Sequence, residues 1–98
     1  MVSVFAPNYV KKENIETFKS MTANLVAETQ KEAGCISYNL YQDVNDPQVL
    51  AFVELWQSRE ALGAHMQTPH FKEIVPKLGE LKDPLVKVET RVMNLIEN

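Results

Sequence analysis

The sequence predicts an α+β fold in which strands and helices follow one another as β-α-β-β-α-β. Three observations predict it. Four short stretches, near residues 2–10, 35–42, 49–57 and 85–94, carry strand-type alternation or continuous apolar runs. An amphipathic stripe of about five helical turns fills the gap between the first and second of them. Only the turn-rich segment Asp43-Val44-Asn45-Asp46-Pro47 separates the second from the third, a connection short enough to make those two strands antiparallel neighbours.

In order, Val2, Val4 and Ala6 alternate with Ser3, Phe5 and Pro7, and Val10 follows. Pro7 has no N–H to give a ladder, so this first strand is expected at an edge or with a bulge. Lys11-Lys12-Glu13-Asn14 is the polar turn out of it. Ile15, Phe18, Thr22, Leu25, Val26 and Thr29 then recur at helical spacing, with Glu16, Lys19, Asn24, Glu28 and Lys31 mostly on other faces. Gly34 is placed to stop this helix as the residue after its C-cap. Cys35 to Gln42 sets Ile36, Tyr38 and Leu40 on one face and Ser37, Asn39 and Tyr41 on the other. Neither face bears a charge, so both are expected to be covered.

Val49 to Gln57 is the third strand, with Phe52, Glu54 and Trp56 on a shared face and Glu54 as its one charge. Ser58 is a suitable N-cap for a helix through Met66, and Glu60 in the first turn suits the helix dipole. Thr68-Pro69 repeats the start signal, a cap residue followed by proline at the first helical position. Phe71, Ile74, Val75 and Leu78 form the next apolar stripe. Pro76 predicts a break or kink near Val75, and Gly79 is expected to close the segment. Leu85 to Asn94 reads as the last strand, with Val86, Val88, Thr90 and Val92 on one face and Lys87, Glu89 and Arg91 on the other. The whole is the ferredoxin-like plan, a four-stranded antiparallel sheet with helices on one face. Where its other face is apolar it needs a cover, and a second copy of the sheet supplies one.

A length of 98 residues suits one domain, taken as residues 1–98, with one hydrophobic core. A net charge of -3, with lysine and arginine thinly spread, offers no basic patch for nucleic acid or anionic membrane. No apolar run approaches the roughly 20 residues of a membrane span, and Met1-Val2-Ser3-Val4-Phe5 lacks the pattern of a signal peptide. The single cysteine, Cys35, cannot form an internal disulfide, which accords with a reducing cytoplasm. Cysteine-rich metal sites are excluded by count.

The third strand and the helix after it hold the candidate chemistry. Glu54 on an apolar strand is a desolvated carboxylate able to exchange a proton, with Trp56 as the pocket wall; the plainer alternative pairs Glu54 with Arg59 or Arg91 and buries Trp56 as core. Leu62, His65 and Met66 lie at i, i+3 and i+4, so the imidazole of His65 sits on the apolar side of its helix, as a general base or a metal or haem ligand, against a histidine hydrogen-bonded in the core or capping nearby backbone. His70 lacks the i, i+4 relation to His65 that a helical metal site uses, and no metal centre is expected. Asn8 is a candidate contact to a substrate carbonyl or dioxygen, against a plain turn residue. Tyr38 and Tyr41 are either pocket lining or packing, and Cys35 reads as an inert small side chain.

The runs Glu32-Ala33-Gly34-Cys35-Ile36-Ser37-Tyr38, Glu54-Leu55-Trp56, Ala61-Leu62 with His65, and Thr68-Pro69-His70-Phe71-Lys72 together resemble the antibiotic biosynthesis monooxygenase family. His65-Met66-Gln67-Thr68-Pro69-His70 is similar to the quinol monooxygenases within it, and to the enzyme that processes phosphorylated autoinducer-2. The resemblance implies a dimeric α+β barrel of ferredoxin-like protomers, with one pocket per protomer. It implies oxidation of a small quinol or phenol by dioxygen with no metal, flavin or other cofactor. It gives proton transfer to His65 or Glu54, the pocket wall to Trp56 and a polar contact with substrate or dioxygen to Asn8; Tyr38, His70 and Phe71 complete the expected substrate-binding set. Haem-degrading relatives carry a haem-ligating histidine where this chain has Ile74-Val75-Pro76-Lys77, which ranks haem chemistry low. Two other readings stay open: an isomerase or processing enzyme for a small oxygenated signalling metabolite, and a non-catalytic dimeric ligand-binding module.

Overall fold

The computed structural model describes residues 1–97. Its elements are β1 (Val2–Tyr9), a 3-10 turn (Lys12–Asn14), α1 (Ile15–Thr29), β2 (Cys35–Gln42), β3 (Val49–Trp56), α2 (Arg59–His65), α3 (Pro69–Leu78), a second 3-10 turn (Gly79–Leu81) and β4 (Arg91–Asn94). The four strands form one antiparallel sheet in the order β2-β3-β1-β4. This is the ferredoxin-like α+β plan expected from the sequence, with the second helix split in two.

Register decides which side chains meet. β1 runs against β3 with Val2 opposite Trp56, Val4 opposite Glu54 and Asn8 opposite Leu50, while β2 sets Tyr38 against Glu54. Directly opposed residues share a face. Val2, Val4, Asn8, Tyr38, Leu50, Phe52, Glu54 and Trp56 are accordingly all buried, on the side that α1, α2 and α3 cover. Phe18, Thr22, Leu25 and Thr29 bury one stripe of α1, at the spacing read from the sequence. The other face of the sheet leaves Phe5, Tyr41, Val53 and Met93 exposed.

Several local expectations are corrected. α1 ends at Thr29 with Gln30 as its C-cap, so Gly34 does not stop the helix. It turns the chain into β2 at φ 84°, where a Cβ would lie 2.5 Å from the Cβ of Ala61. A register shift between Cys35 and Ser37 takes Ile36 out of the row of Tyr38 and Leu40 and leaves it exposed. Ser37, Asn39 and Tyr41 lie on the sheet face that no element of this chain covers. Pro76 lies inside α3 without ending it. It stands on the solvent side two residues from the helix end, and the carbonyl it leaves unbonded belongs to exposed Lys72, where water can reach it. Gly79 is right-handed and continues into the 3-10 turn rather than closing the segment.

The last strand begins at Arg91, not Leu85, and Leu85 is exposed. The cause lies in β1. The carbonyls of Met1 and Tyr9 accept from Leu95 and Asp83, so the odd residues of β1 offer their hydrogen-bonding groups on the β4 side. Pro7 is one of them, and it has no N–H. β4 pairs with Val2–Phe5 only, and continuing that register would set Glu89 against Pro7. Pro7 therefore sits in an inner strand, at the end where that strand has lost one neighbour.

Candidate active site

A cavity of about 220 Å³ lies between the sheet and helices α2 and α3. β1 contributes Val4, Ala6 and Asn8 to its wall, β2 Tyr38, and β3 Phe52 and Glu54. Leu62, His65, Phe71 and Val75 close it from the helices, and Lys82, Thr90 and Val92 come from the segments after them.

Glu54 is 6% exposed, and its partner is no arginine: Trp56 donates its indole N–H to Oε1 at 2.9 Å, while Arg91 pairs with exposed Glu89. Burial pushes the Glu54 carboxyl up to about 7; the indole hydrogen bond opposes that rise and the charge of Glu32 adds to it. A carboxyl that titrates near neutrality can give or take a proton at working pH. Trp56 itself is fully buried and does not reach the cavity surface, so it is not the pocket wall. It acts one layer behind, by holding Glu54.

His65 ends α2, whose N-terminus Ser58 caps by accepting from the Ala61 N–H as expected. Its ring is 2% exposed and packs among Trp56, Phe71 and Tyr38, with ring centroids 4.8, 5.0 and 5.3 Å away. Nδ1 bonds Oε2 of Glu32 at 2.8 Å, while Nε2 has no hydrogen-bond partner among the described residues. Burial pushes the His65 pKa down, and the Glu32 hydrogen bond and charge oppose that shift. Burial also raises the Tyr38 phenol, with the charge of Glu54 next in effect.

The turn Met66–Thr68 resets the chain, and α3 starts afresh with Thr68 accepting from the Phe71 N–H and Pro69 in its first turn. That break brings His70 to His65 without the i, i+4 relation that one continuous helix would need. Nε2 of His70 reaches the same Glu32 oxygen at 2.6 Å, although His70 is not part of the cavity wall. Glu32, His65 and His70 are ligand types for a metal, with their donor atoms all within 4.8 Å of one another. Ligands on a bond of about 2.0–2.1 Å stand roughly 3.0–3.4 Å apart. The observed 2.8 and 2.6 Å are hydrogen-bond lengths.

Asn8 is buried in the wall, but its amide donates to the carbonyls of Leu50 at 2.9 Å and Ala6 at 3.2 Å. Only its Oδ1 remains for a ligand, an acceptor rather than the donor that dioxygen or a carbonyl would need. Sequence reasoning missed Glu32 and Lys82. Glu32 reads locally as an ordinary turn acid. It reaches α2 because the Gly34 carbonyl accepts from the Gln57 N–H at 2.8 Å and the absent Cβ of Gly34 lets the turn lie against Ala61. Lys82 is tied to Val10 by an isolated bridge, and burial lowers its ammonium pKa.

The model of the family described as antibiotic biosynthesis monooxygenase matches residues 1–77. The chain belongs to the antibiotic biosynthesis monooxygenase family. It is 38% identical over 72 residues to the uncharacterised protein sll1783 of Synechocystis; that match covers 74% of the chain and only about half, 49%, of the relative. YcnE of Bacillus subtilis, provisionally named a monooxygenase, is 33% identical, with 85% of the chain and 88% of the relative covered. A crystal structure named antibiotic biosynthesis monooxygenase superposes with a TM-score of 0.89 at 30% identity, covering 99% of this chain and 100% of its own. The family match takes in Asn8, Glu32, Tyr38, Glu54, Trp56, His65, His70 and Phe71 and stops before Lys82. As a family member this chain thus carries the carboxyl, imidazole and phenol of the cavity wall within the matched span, and the Lys82 ammonium outside it.

Proposed function

We propose that this chain is a cofactor-independent monooxygenase that oxidises a small quinol or phenol with dioxygen. One observation carries the reading: an apolar cavity lined by a carboxyl titrating near 7 and by a buried histidine with one ring nitrogen unpartnered among the described residues. A void of roughly 150 Å³ already accepts benzene, so about 220 Å³ suits one substituted aromatic ring.

In this reading Glu54 or His65 takes the phenolic proton. The electron-rich phenolate ring carbon then gives electrons to dioxygen and forms a C–O bond. Cleavage of the O–O bond leaves one oxygen on the ring and releases the other as water, so quinol and dioxygen yield hydroxyquinone and water. The protein's part is to deprotonate, orient and desolvate. Lys82 has no carboxylate within ion-pair distance among the described residues and supplies a counter-charge to the phenolate. Tyr38 and Phe71 face the ring. The bond from Trp56 to Glu54 supports the enzyme over a binding module, whose carboxylate would be locked to an arginine.

Residues 1–98 act as one domain, in a cytoplasmic homodimer whose sheets pack through the bare face of Phe5, Val53 and Met93. The test is oxygen uptake with a panel of quinols and anthrones, comparing wild type with His65→Ala and Trp56→Phe. Uptake by wild type with loss in His65→Ala is expected. Equal rates in all three proteins would remove the assignment to these residues, and no uptake by wild type on any substrate would remove the oxygenase.

A further inference from the structure

We infer that Glu32 is a positioning residue for that chemistry: its carboxylate holds His65 as the Nδ1–H tautomer and so leaves Nε2 as a bare acceptor on the cavity side. The inference rests on the oxygenase reading for its catalytic meaning, but not for its geometry.

A carboxylate is an acceptor only, so the 2.8 Å contact from Nδ1 of His65 to Oε2 of Glu32 requires the proton to sit on Nδ1. In a neutral imidazole the other nitrogen is then unprotonated. Free imidazoles in water favour the opposite tautomer, with the proton on Nε2, which could not accept a substrate proton. The choice is therefore imposed by the fold. Two further contacts hold it. The ring is clamped between Trp56 and Phe71, at 4.8 and 5.0 Å between centroids. His70 donates to the same Glu32 oxygen at 2.6 Å, a second bond that holds the carboxylate in place. Turning the imidazole over would aim a C–H at Glu32 and leave a carboxylate that is only 12% exposed short of a donor. The groups facing the ring from the surrounding elements are Glu32 from the turn after α1, Tyr38 from β2 and His70 from α3.

Nitrogen-15 NMR on protein labelled at histidine reads which ring nitrogen carries the proton, with no substrate present. Wild type at mildly alkaline pH is expected to show His65 protonated on Nδ1. Glu32→Leu keeps the bulk and removes the acceptor, so the proton is expected to move to Nε2. Glu32→Gln retains a carbonyl acceptor and is expected to preserve Nδ1–H. With a substrate identified by oxygen uptake, Glu32→Leu should lower kcat by about 10–100-fold with KM little changed, and Glu32→Gln should recover part of that loss. A wild-type spectrum with the proton on Nε2 overturns the proposal, whether or not any variant folds. So does a Glu32→Leu protein that keeps Nδ1–H. So does stoichiometric Zn²⁺ binding that displaces both histidine protons, since the cluster would then be a metal site. A correct tautomer with no oxygen uptake removes the oxygenase and leaves the positioning role standing; uptake with the wrong tautomer does the reverse.

Discussion

Replacing Glu54 with glutamine should stabilise the protein at high pH and change little at low pH, the reverse of what removing a carboxylate usually does. The folded carboxyl titrates at about 7 against an ordinary value of 4.5. Folding therefore favours the protonated form, and the folded state binds more protons than the unfolded state between those two values. Stability falls as pH rises whenever that holds. The stability associated with neutral Glu54 is thus fully present below the unfolded value and is lost as pH climbs to the folded one. The gap of about 2.5 units, at roughly 1.4 kcal/mol per unit, makes ionised Glu54 cost on the order of 3 kcal/mol. Glutamine fills the same space, can accept the indole hydrogen bond and never ionises. Between about pH 5 and pH 8, its stability relative to wild type should rise by about 2–3 kcal/mol, or roughly 10–20 °C in Tm for a domain of this size. His65 adds its own pH dependence, with stability lost as pH falls because burial lowers its pKa. It does so in both proteins and cancels in the difference. Urea unfolding of both proteins at the two pH values and one fixed concentration is the assay, since dimerisation would otherwise shift the midpoint. A difference that stays constant with pH, or grows in favour of wild type at high pH, would refute the burial argument for Glu54.

Three more outcomes follow from the same geometry. Trp56→Phe removes the one hydrogen bond that holds the Glu54 pKa down, so its titration, followed by carbon-13 NMR, should rise by roughly a further unit. An unmoved titration would mean that the indole does not act on Glu54. Gly34→Ala should cost about 2 kcal/mol or more, from a left-handed backbone and a Cβ set 2.5 Å from Ala61. Adding Ala61→Gly should recover only the part due to the clash; full recovery would deny any backbone strain. Val53→Arg, on the bare sheet face, should convert a dimer to monomer in light scattering at unchanged helix content. A mass that is the same before and after would place the interface elsewhere.

The parts of the fold that the sequence made legible are those where pattern and partner lie within one stretch of chain. α1, β2 and β3 follow from periodicity alone, and the two helix starts follow from Ser58 and from Thr68-Pro69, whose side chains do make the capping bonds. The misreadings share one cause. Alternation over Leu85–Asn94 is genuine in the sequence, but a strand needs an opposite edge, and Pro7 ends the one available within this chain. Pro76 reads as a helix breaker in the sequence, but its turn faces water, which only the packed structure shows. Within the site, Glu54 and His65 stood out because an acid and an imidazole are unexpected on apolar faces. Glu32 did not, because an acid in a turn is ordinary until another helix is laid over it.

The same point explains why the site is built from two helices rather than one. On a continuous helix, His65 and His70 would be separated by about 140° and could not serve one carboxylate. The turn at Met66–Thr68 costs a helix interruption, yet it swings His70 back to within 6.3 Å of His65 between ring centroids. Glu32 then meets both from beneath, through a turn that only a glycine at position 34 can bring this close to α2. A chain spacer between the histidines, a missing Cβ and a turn acid are each unremarkable alone. Their effect is to engage Nδ1 of His65 inside the protein and leave Nε2 without a partner among the described residues, as the indole of Trp56 engages Oε1 of Glu54 and leaves Oε2. A merely structural pair would use up both atoms on each other, and that division is why the pocket reads as a place for proton transfer rather than as a polar defect in a small core.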